Sequence, residues 1–406
     1  MKILHTSDWH LGQKFLYKDR EAEHQLALDW LVAFIFQEQI EGLIVAGDIF
    51  DISNPPNYAR RLYYNFLTAL LKSPCRHILI TGGNHDSPAM LDAPKELLAA
   101  LNVHVVGAAT DPIENEIIEW KNNQNELEAV IAAVPFLRDG DLRFSVAGES
   151  GYERVERVRE GILKHYHNLG DIIKEKYKKY NIPIITTGHL YIKGALASEK
   201  QDNIYIGDKE NMDAAQFPEV FDYVALGHIH RAQAFGKAGR VRYSGSLIPL
   251  SFSETKDDKS VYIIDFQGKK IEKITTIPVP VFRRLKTIEG TLQEVEEALK
   301  RFDSKGNREL TPWVEVIVHT DRVIPQLDVH LQELTKDMNL ELMKIRLNYN
   351  HHTLDAQIEE VDLKDLDQLE VFYKKCESYG APPDEMEELT SAFLELRYWM
   401  NEQGVL

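Results

Sequence analysis

Seven side chains of the kind that bind hard and borderline metal ions stand in five short polar clusters. Asp8 and His10 flank Trp9, Asp48 follows Gly47, and Asn84 follows Gly83. His189 follows Gly188, and His228 and His230 lie in Gly227-His228-Ile229-His230. Mixed nitrogen and oxygen donors without a thiolate suit manganese, iron or zinc rather than a soft-metal or iron–sulfur site. Taken singly, a short polar pair after a strand is usually turn chemistry. Here every cluster ends a short apolar run: ILHTSDWH, LIVAGDIFD, ILITGGNHD, PIITTGH and VALGHIH. All five therefore occupy the carboxyl end of a buried strand, where open α/β sheets place their ligand crevice.

A two-metal centre needs an anionic ligand able to bridge both ions, and Asp48, with two carboxylate oxygens after the run Leu43–Ala46, is the natural candidate. Two cations about 3.5–4 Å apart can bind the attacking and leaving oxygens of an in-line displacement, which is phosphoryl transfer to water. His85 lies between Asn84 and Asp86. It is placed to donate to the phosphate or leaving oxygen, with Asp86 orienting its imidazole.

The elements that must position these groups alternate strand and helix to about residue 110. Residues 222–277 read instead as short strands joined by turns, including Arg240–Ser244 and Val261–Phe266. A sheet sandwich flanked by helices reconciles the two patterns. A helix over 155–173 follows from Val155, Val158, Ile162, Tyr166, Leu169 and Ile173 at steps of three and four. Tyr58, Leu62, Phe66 and Leu70 form a similar stripe, readable as core or as a dimer face. Pro278 and Pro280 close a first domain at 1–278. A small α/β module follows at 281–349, with strands at 281–288, 313–318 and 340–347 and helices near 291–302 and 326–336. A helical pair occupies 355–406, its second helix carrying Met386, Leu389, Phe393, Leu396 and Met400 on one face beyond the Gly380-Ala381-Pro382-Pro383 break.

The 406 residues exceed one ordinary domain, and 44% hydrophobic with 27% charged residues excludes disordered and fibrous classes. No apolar run approaches the roughly 20 residues that cross a bilayer. An acid at Asp8 stands where a signal peptide still needs its apolar stretch, and Cys75 and Cys376 are the only cysteines. A reducing, cytoplasmic setting without membrane is expected. The net charge of -17 opposes polyanion binding, but residues 351–406 hold 14 acidic against 4 basic side chains. More than half of the net negative charge thus lies in a tail that need not touch substrate. Arg283, Arg284 and Lys286, at the entry to the small module, read as a solvated strand end more readily than as phosphate contacts.

The ordered series D-x-H, G-D-x-x-D, G-N-H-D, G-H and G-H-x-H over residues 8–230 resembles the calcineurin-like metallophosphoesterases. More narrowly, His5–Gly12, Gly227–Gln233, Tyr205-Ile206-Gly207 and Ser244–Phe252 are similar to the SbcD family of bacterial nuclease subunits. The resemblance implies a metallophosphoesterase β-sandwich with an α/β cap at 281–349 and a C-terminal helix-loop-helix docking on the coiled-coil root of an SbcC-type ABC ATPase. It implies two divalent ions, with manganese suggested, one held by Asp8, His10, Asp48 and His230 and the other by Asp48, Asn84, His189 and His228. His85 would be the catalytic histidine. Relatives outside bacteria carry histidine where this chain has Asp51, which is read as a group behind the ligands that orients His85. The implied activity is a DNA exonuclease and endonuclease, as a homodimer. A phosphoprotein phosphatase or small-nucleotide phosphodiesterase keeps the chemistry with another substrate. A non-catalytic scaffold is the third reading, and it would be expected to leave gaps among the ligand positions.

Overall fold

Apolar runs rich in valine and isoleucine become strands buried on both faces. In the computed structural model these are β1 (Lys2–Thr6), β2 (Gly42–Ala46), β3 (His77–Thr81) and β4 (Val103–Val106), with β2 and β3 buried along their whole length. A second group comprises β5 (Ile117–Lys121), β6 (Leu127–Ala132), β7 (Ile184–His189), β8 (Tyr223–Gly227), β9 (Gln233–Phe235) and β10 (Val241–Tyr243). The hairpin of β11 (Ser260–Gln267) and β12 (Lys270–Pro278) returns to the first sheet. The structure describes residues 1–142, 150–197, 212–302, 310–321 and 324–349, together with 372–373, 376, 386 and 389–393.

The first sheet runs β12-β11-β1-β2-β3-β4 and the second β9-β10-β8-β7-β6-β5. Strands β1 to β4 are mutually parallel, as are β6, β7, β8 and β10. Alternation divides each strand between two cores. Ile3, Ile44 and Leu79 meet Ile131, Ile185 and Ala225 between the sheets. Leu4, Val45 and Ile80 face α1 (Glu21–Gln37) and α2 (Asn57–Leu70). Val130, Val224 and Leu226 face α3 (Gly151–Tyr177), which opens on a Ser150–Glu153 capping box. This is the expected helix-flanked sandwich. Leu62, Phe66 and Leu70 are buried in the first of these helix-facing cores and Tyr58 packs against it, so the α2 stripe is spent on the chain's own packing.

The small module has the expected order: β13 (Leu285–Gly290), α4 (Leu292–Lys300), β14 (Trp313–Thr320), α5 (Leu327–Thr335) and β15 (Glu341–Tyr349). Its core comprises Val295, Leu299, Val314, Val316 and Leu331. It belongs to one compact unit with the sandwich, Met1–Asn348, and Tyr349–Leu406 form a second. Inside the first unit, Phe15 packs on Trp313 and Phe252. Arg283 is not solvated as the sequence suggested. Its guanidinium lies 4.0 Å from the Trp313 ring centroid, with Nε 3.4 Å from buried Glu23. Arg284 covers Phe302, and Lys286 alone of the three is exposed.

In the second unit, Phe393 of the predicted stripe stacks on Phe372, ring centroids 4.3 Å apart, so part of that stripe is spent within the unit. Leu396, Met400 and the Tyr205-Ile206-Gly207 string lie outside the described residues. Among the described residues no helix is long and apolar enough to cross a membrane.

Candidate metal centre

Parallel pairing brings five strand ends to one edge of the sandwich, and the ladder continues past the strands. Asp8 N–H donates to Gly47 O at 3.0 Å and His10 N–H to Asp48 O at 3.0 Å. The chain must then turn its polar side chains inward sharply. Asp8 (φ 52°), His10 (φ 46°), Asp48 (φ 50°) and His228 (φ 97°) all take left-handed backbone conformations that a side chain disfavours. Strain of this kind persists where surrounding structure over-determines it, commonly at functional sites. Glycine permits the closest approaches. A Cβ on Gly83 would stand 2.1 Å from Asp48 Oδ1, and one on Gly227 1.9 Å from Ala46 O.

All seven predicted ligands converge. Asp8, His10 and His230 present ligand atoms within 4.8 Å of one another, and so do Asp8, Asp48 and His189. Asp48 Oδ2 lies 3.5 Å from His10 Nε2 and 3.1 Å from His189 Nε2, between a member of each expected set. Asn84 Oδ1 receives His189 Nε2 at 3.0 Å and His228 Nδ1 at 3.3 Å. Asp8, His10, Asp48 and His189 are essentially inaccessible.

The environment of each ring fixes which nitrogen faces the cluster. His10 Nδ1 meets Asp51 Oδ1 at 3.1 Å, His230 Nδ1 meets Glu254 Oε1 at 3.1 Å, and His189 Nδ1 donates to Ala46 O at 3.0 Å. These three turn Nε2 inward, whereas His228 presents Nδ1. Burial opposes charge on His10 and His189. Asp51, Asp48 and Asp8 overcome it around the first, and Asp48 and Asp8 around the second, holding both near 9. Burial takes His228 down to about 3, with His189 beside it adding repulsion. Asp48, although buried, is held below its ordinary value by His189 and His10. Buried His10 Nε2 has no hydrogen-bond partner among the described residues. An inward ring nitrogen of this kind, among carboxylates and an amide oxygen, fits a divalent cation that displaces its proton, for which nitrogen and oxygen donors are apt.

Of two neighbouring groups, Asp86 acts differently from expectation and Asp51 acts as expected but through its main chain. Asp86 does not orient the His85 ring. Its carboxylate accepts from the N–H groups of Ile49 (3.1 Å), Phe50 (2.9 Å) and Gly83 (2.9 Å), tying the Asp48 loop to the Asn84 loop. Three main-chain donors outcompete one imidazole for a buried carboxylate. Asp51 orients His85 through its carbonyl, 2.7 Å from His85 Nδ1, while its carboxylate holds His10. His85 itself is exposed at the mouth.

Several supports carry no sequence signature of their own. Ser7 Oγ donates to Asp8 and lies 2.8 Å from Ser244 Oγ, and His228 N–H donates to Asp8 Oδ1 at 2.9 Å. Glu254 is paired with buried Lys259 at 2.6 Å and held down at about 2: burial opposes its charge, and His230 and Lys259 outweigh it. The one hint of its role was its place two residues beyond the Ser244–Phe252 string.

The calcineurin-like phosphoesterase family matches residues 1–232, and the family described as type 5 capsule protein repressor C-terminal domain matches 281–379. The SbcD component of nuclease SbcCD from Escherichia coli (strain K12) is 37% identical over 378 residues, 92% of each chain. Its counterpart in Rhodobacter capsulatus is 33% identical over 86% of each chain, and that of Bacillus subtilis (strain 168) is 30% identical over 99% of each. The chain therefore belongs to the calcineurin-like phosphoesterases and, within them, to the SbcD family of nucleases.

Proposed function

We propose that this chain is a metal-dependent DNA nuclease, cutting double-stranded ends and hairpin or single-stranded DNA. The observation that carries the reading is the convergence of Asp8, His10, Asp48, Asn84, His189, His228 and His230, with Asp48 between two ligand sets. Asp8, His10, Asp48 and His230 would hold one divalent cation and Asp48, Asn84, His189 and His228 the other. Such ions neutralise phosphate charge and lower the pKa of water, and manganese suits the donor set. The protein's part is to hold Asp48 between the sets.

His85 stands outside the ligand set. Its Nδ1–H donates to the Asp51 carbonyl, which leaves Nε2 to face a substrate. As imidazolium it gives the Nε2 proton to the departing oxygen. Asp86 serves it indirectly, by fixing the loop on which it rides.

The relatives' names place them in a two-component SbcCD nuclease. By that analogy the chain works in the cytoplasm as a homodimer with an SbcC-type ABC ATPase. Residues 1–278 would be its nuclease domain, 281–349 its cap and 355–406 the helical pair that docks on the coiled-coil root of the ATPase. Purified protein with manganese should cleave end-labelled duplex or hairpin DNA, and chelator should abolish the cleavage. If DNA stays intact even with the ATPase while a phosphoprotein or cyclic nucleotide is hydrolysed, the phosphatase or small-nucleotide reading replaces this one.

A further inference from the structure

A sixth strand end reaches the same crevice. Strand β6 is parallel to β7, whose last residue is His189, and the chain beyond it runs Ala133 to Arg138. Phe136 N–H donates to Gly82 O at 2.8 Å, which draws this segment against the Asn84 loop. The Phe136 ring lies edge-on to His189, centroids 6.3 Å apart, and the Arg138 guanidinium lies 5.7 Å from the Phe136 centroid. Arg138 Nη2 donates to the carbonyl of Asp86, the residue after His85, at 3.2 Å. Arg138 Nη1 is buried and has no partner among the described residues.

Among the described residues no carboxylate pairs with the Arg138 guanidinium. Arg138 touches the carbonyl of Asp86, not its carboxylate, which is occupied by three main-chain N–H groups. Buried donors are nearly always satisfied, and an unmet one beside a site calls for a partner that arrives with the ligand. Anchoring a carbonyl needs one N–H, whereas a guanidinium offers five in a fork matched to phosphate.

We propose that the Arg138 guanidinium binds a non-bridging oxygen of the scissile phosphodiester and stabilises the charge that builds there during displacement. The inference rests on the metallophosphoesterase reading above.

The test compares manganese-loaded wild type with Arg138→Gln and Arg138→Lys, using bis(p-nitrophenyl) phosphate as a simple diester and inorganic phosphate as a binding probe. Arg138→Gln should lose roughly 10²-fold in kcat, the scale for one transition-state donor. It should also bind phosphate at least about tenfold more weakly, while retaining two ions and the wild-type melting temperature. Arg138→Lys should recover part of both losses, since it restores the charge without the fork. The proposal is overturned if phosphate binding by Arg138→Gln stays within about twofold of wild type. It is equally overturned if rate, metal content and melting temperature fall together, because Arg138 would then only brace the Asp86 loop. Failure of wild type to hydrolyse the diester would strike the parent reading, and the phosphate titration would still decide Arg138.

Discussion

The two proposed ligand sets, which would share Asp48, are backed differently. In one, His10 leans on the Asp51 carboxylate and His230 on Glu254, so each imidazole has an anion behind it. In the other, His189 leans on the main-chain carbonyl of Ala46, and His228, kept neutral by burial, turns Nδ1 toward Asn84. A carboxylate behind a ligating histidine raises its basicity and fixes its tautomer more strongly than a carbonyl does. If these sets hold the two proposed ions, the ions should not be equivalent: the set with Asp51 and Glu254 behind its rings should fill first, and the other should be the more readily emptied.

The largest effect should come from removing what the sets share. Asp48→Ala deletes the carboxylate that lies between His10 and His189, so activity should fall by roughly 10³-fold or more, as for residues acting as one unit. Metal content measured by plasma emission should drop below two ions per chain. Retention of both ions with normal turnover would show that Asp48 bridges nothing.

Breaking the asymmetry itself is the next test. Glu254→Gln should weaken the tighter ion by about 10–100-fold, the usual consequence of losing a partner behind a ligand, and leave the weaker ion nearly unchanged in calorimetric titration. The same substitution strands buried Lys259, which donates to Glu254, Ser246 and the His230 carbonyl. Stability should fall by about 3 kcal/mol. Lys259→Met added to Glu254→Gln should recover much of that stability without recovering metal affinity. If affinity returns with stability, Glu254 acts on packing and the asymmetry has another source.

The contrast also marks what could be read from residues alone. The ligands were legible because each follows a glycine or closes a valine- and isoleucine-rich run, and their types agree on one chemistry. The sandwich was legible because those runs are short and buried. Glu254 and Ser244 were not, since Glu254 lies far along the chain from His230, Ser244 reaches Asp8 only through Ser7, and neither carries a spacing rule. Asp86 misled because adjacency to His85 resembles a dyad, whereas the loop geometry offers its carboxylate three main-chain donors first. Arg283 misled for a similar reason: a basic run looks solvated until Trp313 and Glu23 fold onto it. Arg138 obeys the same strand-end grammar as the ligands, but a search for donors to metal passes over a cation.

The smallest predicted effect would sharpen the comparison by separating basicity from proton count. His10 and His189 lie in different sets, yet both are held near 9 in the metal-free protein. Each is therefore protonated at neutral pH, with one N–H on its backing oxygen and the other on Nε2. An ion can bind Nε2 only by displacing that proton, so each should release about one proton on binding at pH 7. Affinity for both ions should then rise about tenfold per pH unit and level off above pH 9. The sign is opposite for the metal-free fold. A histidine raised from 6.5 to about 9 contributes stability that is complete below pH 6.5 and is lost as pH climbs through 9. Titration calorimetry in buffers of different ionisation enthalpy counts the protons directly. Equal release from the two sites, with unequal affinities, would assign the asymmetry to Asp51 and Glu254 behind the rings; release from one site alone would assign it to the rings themselves.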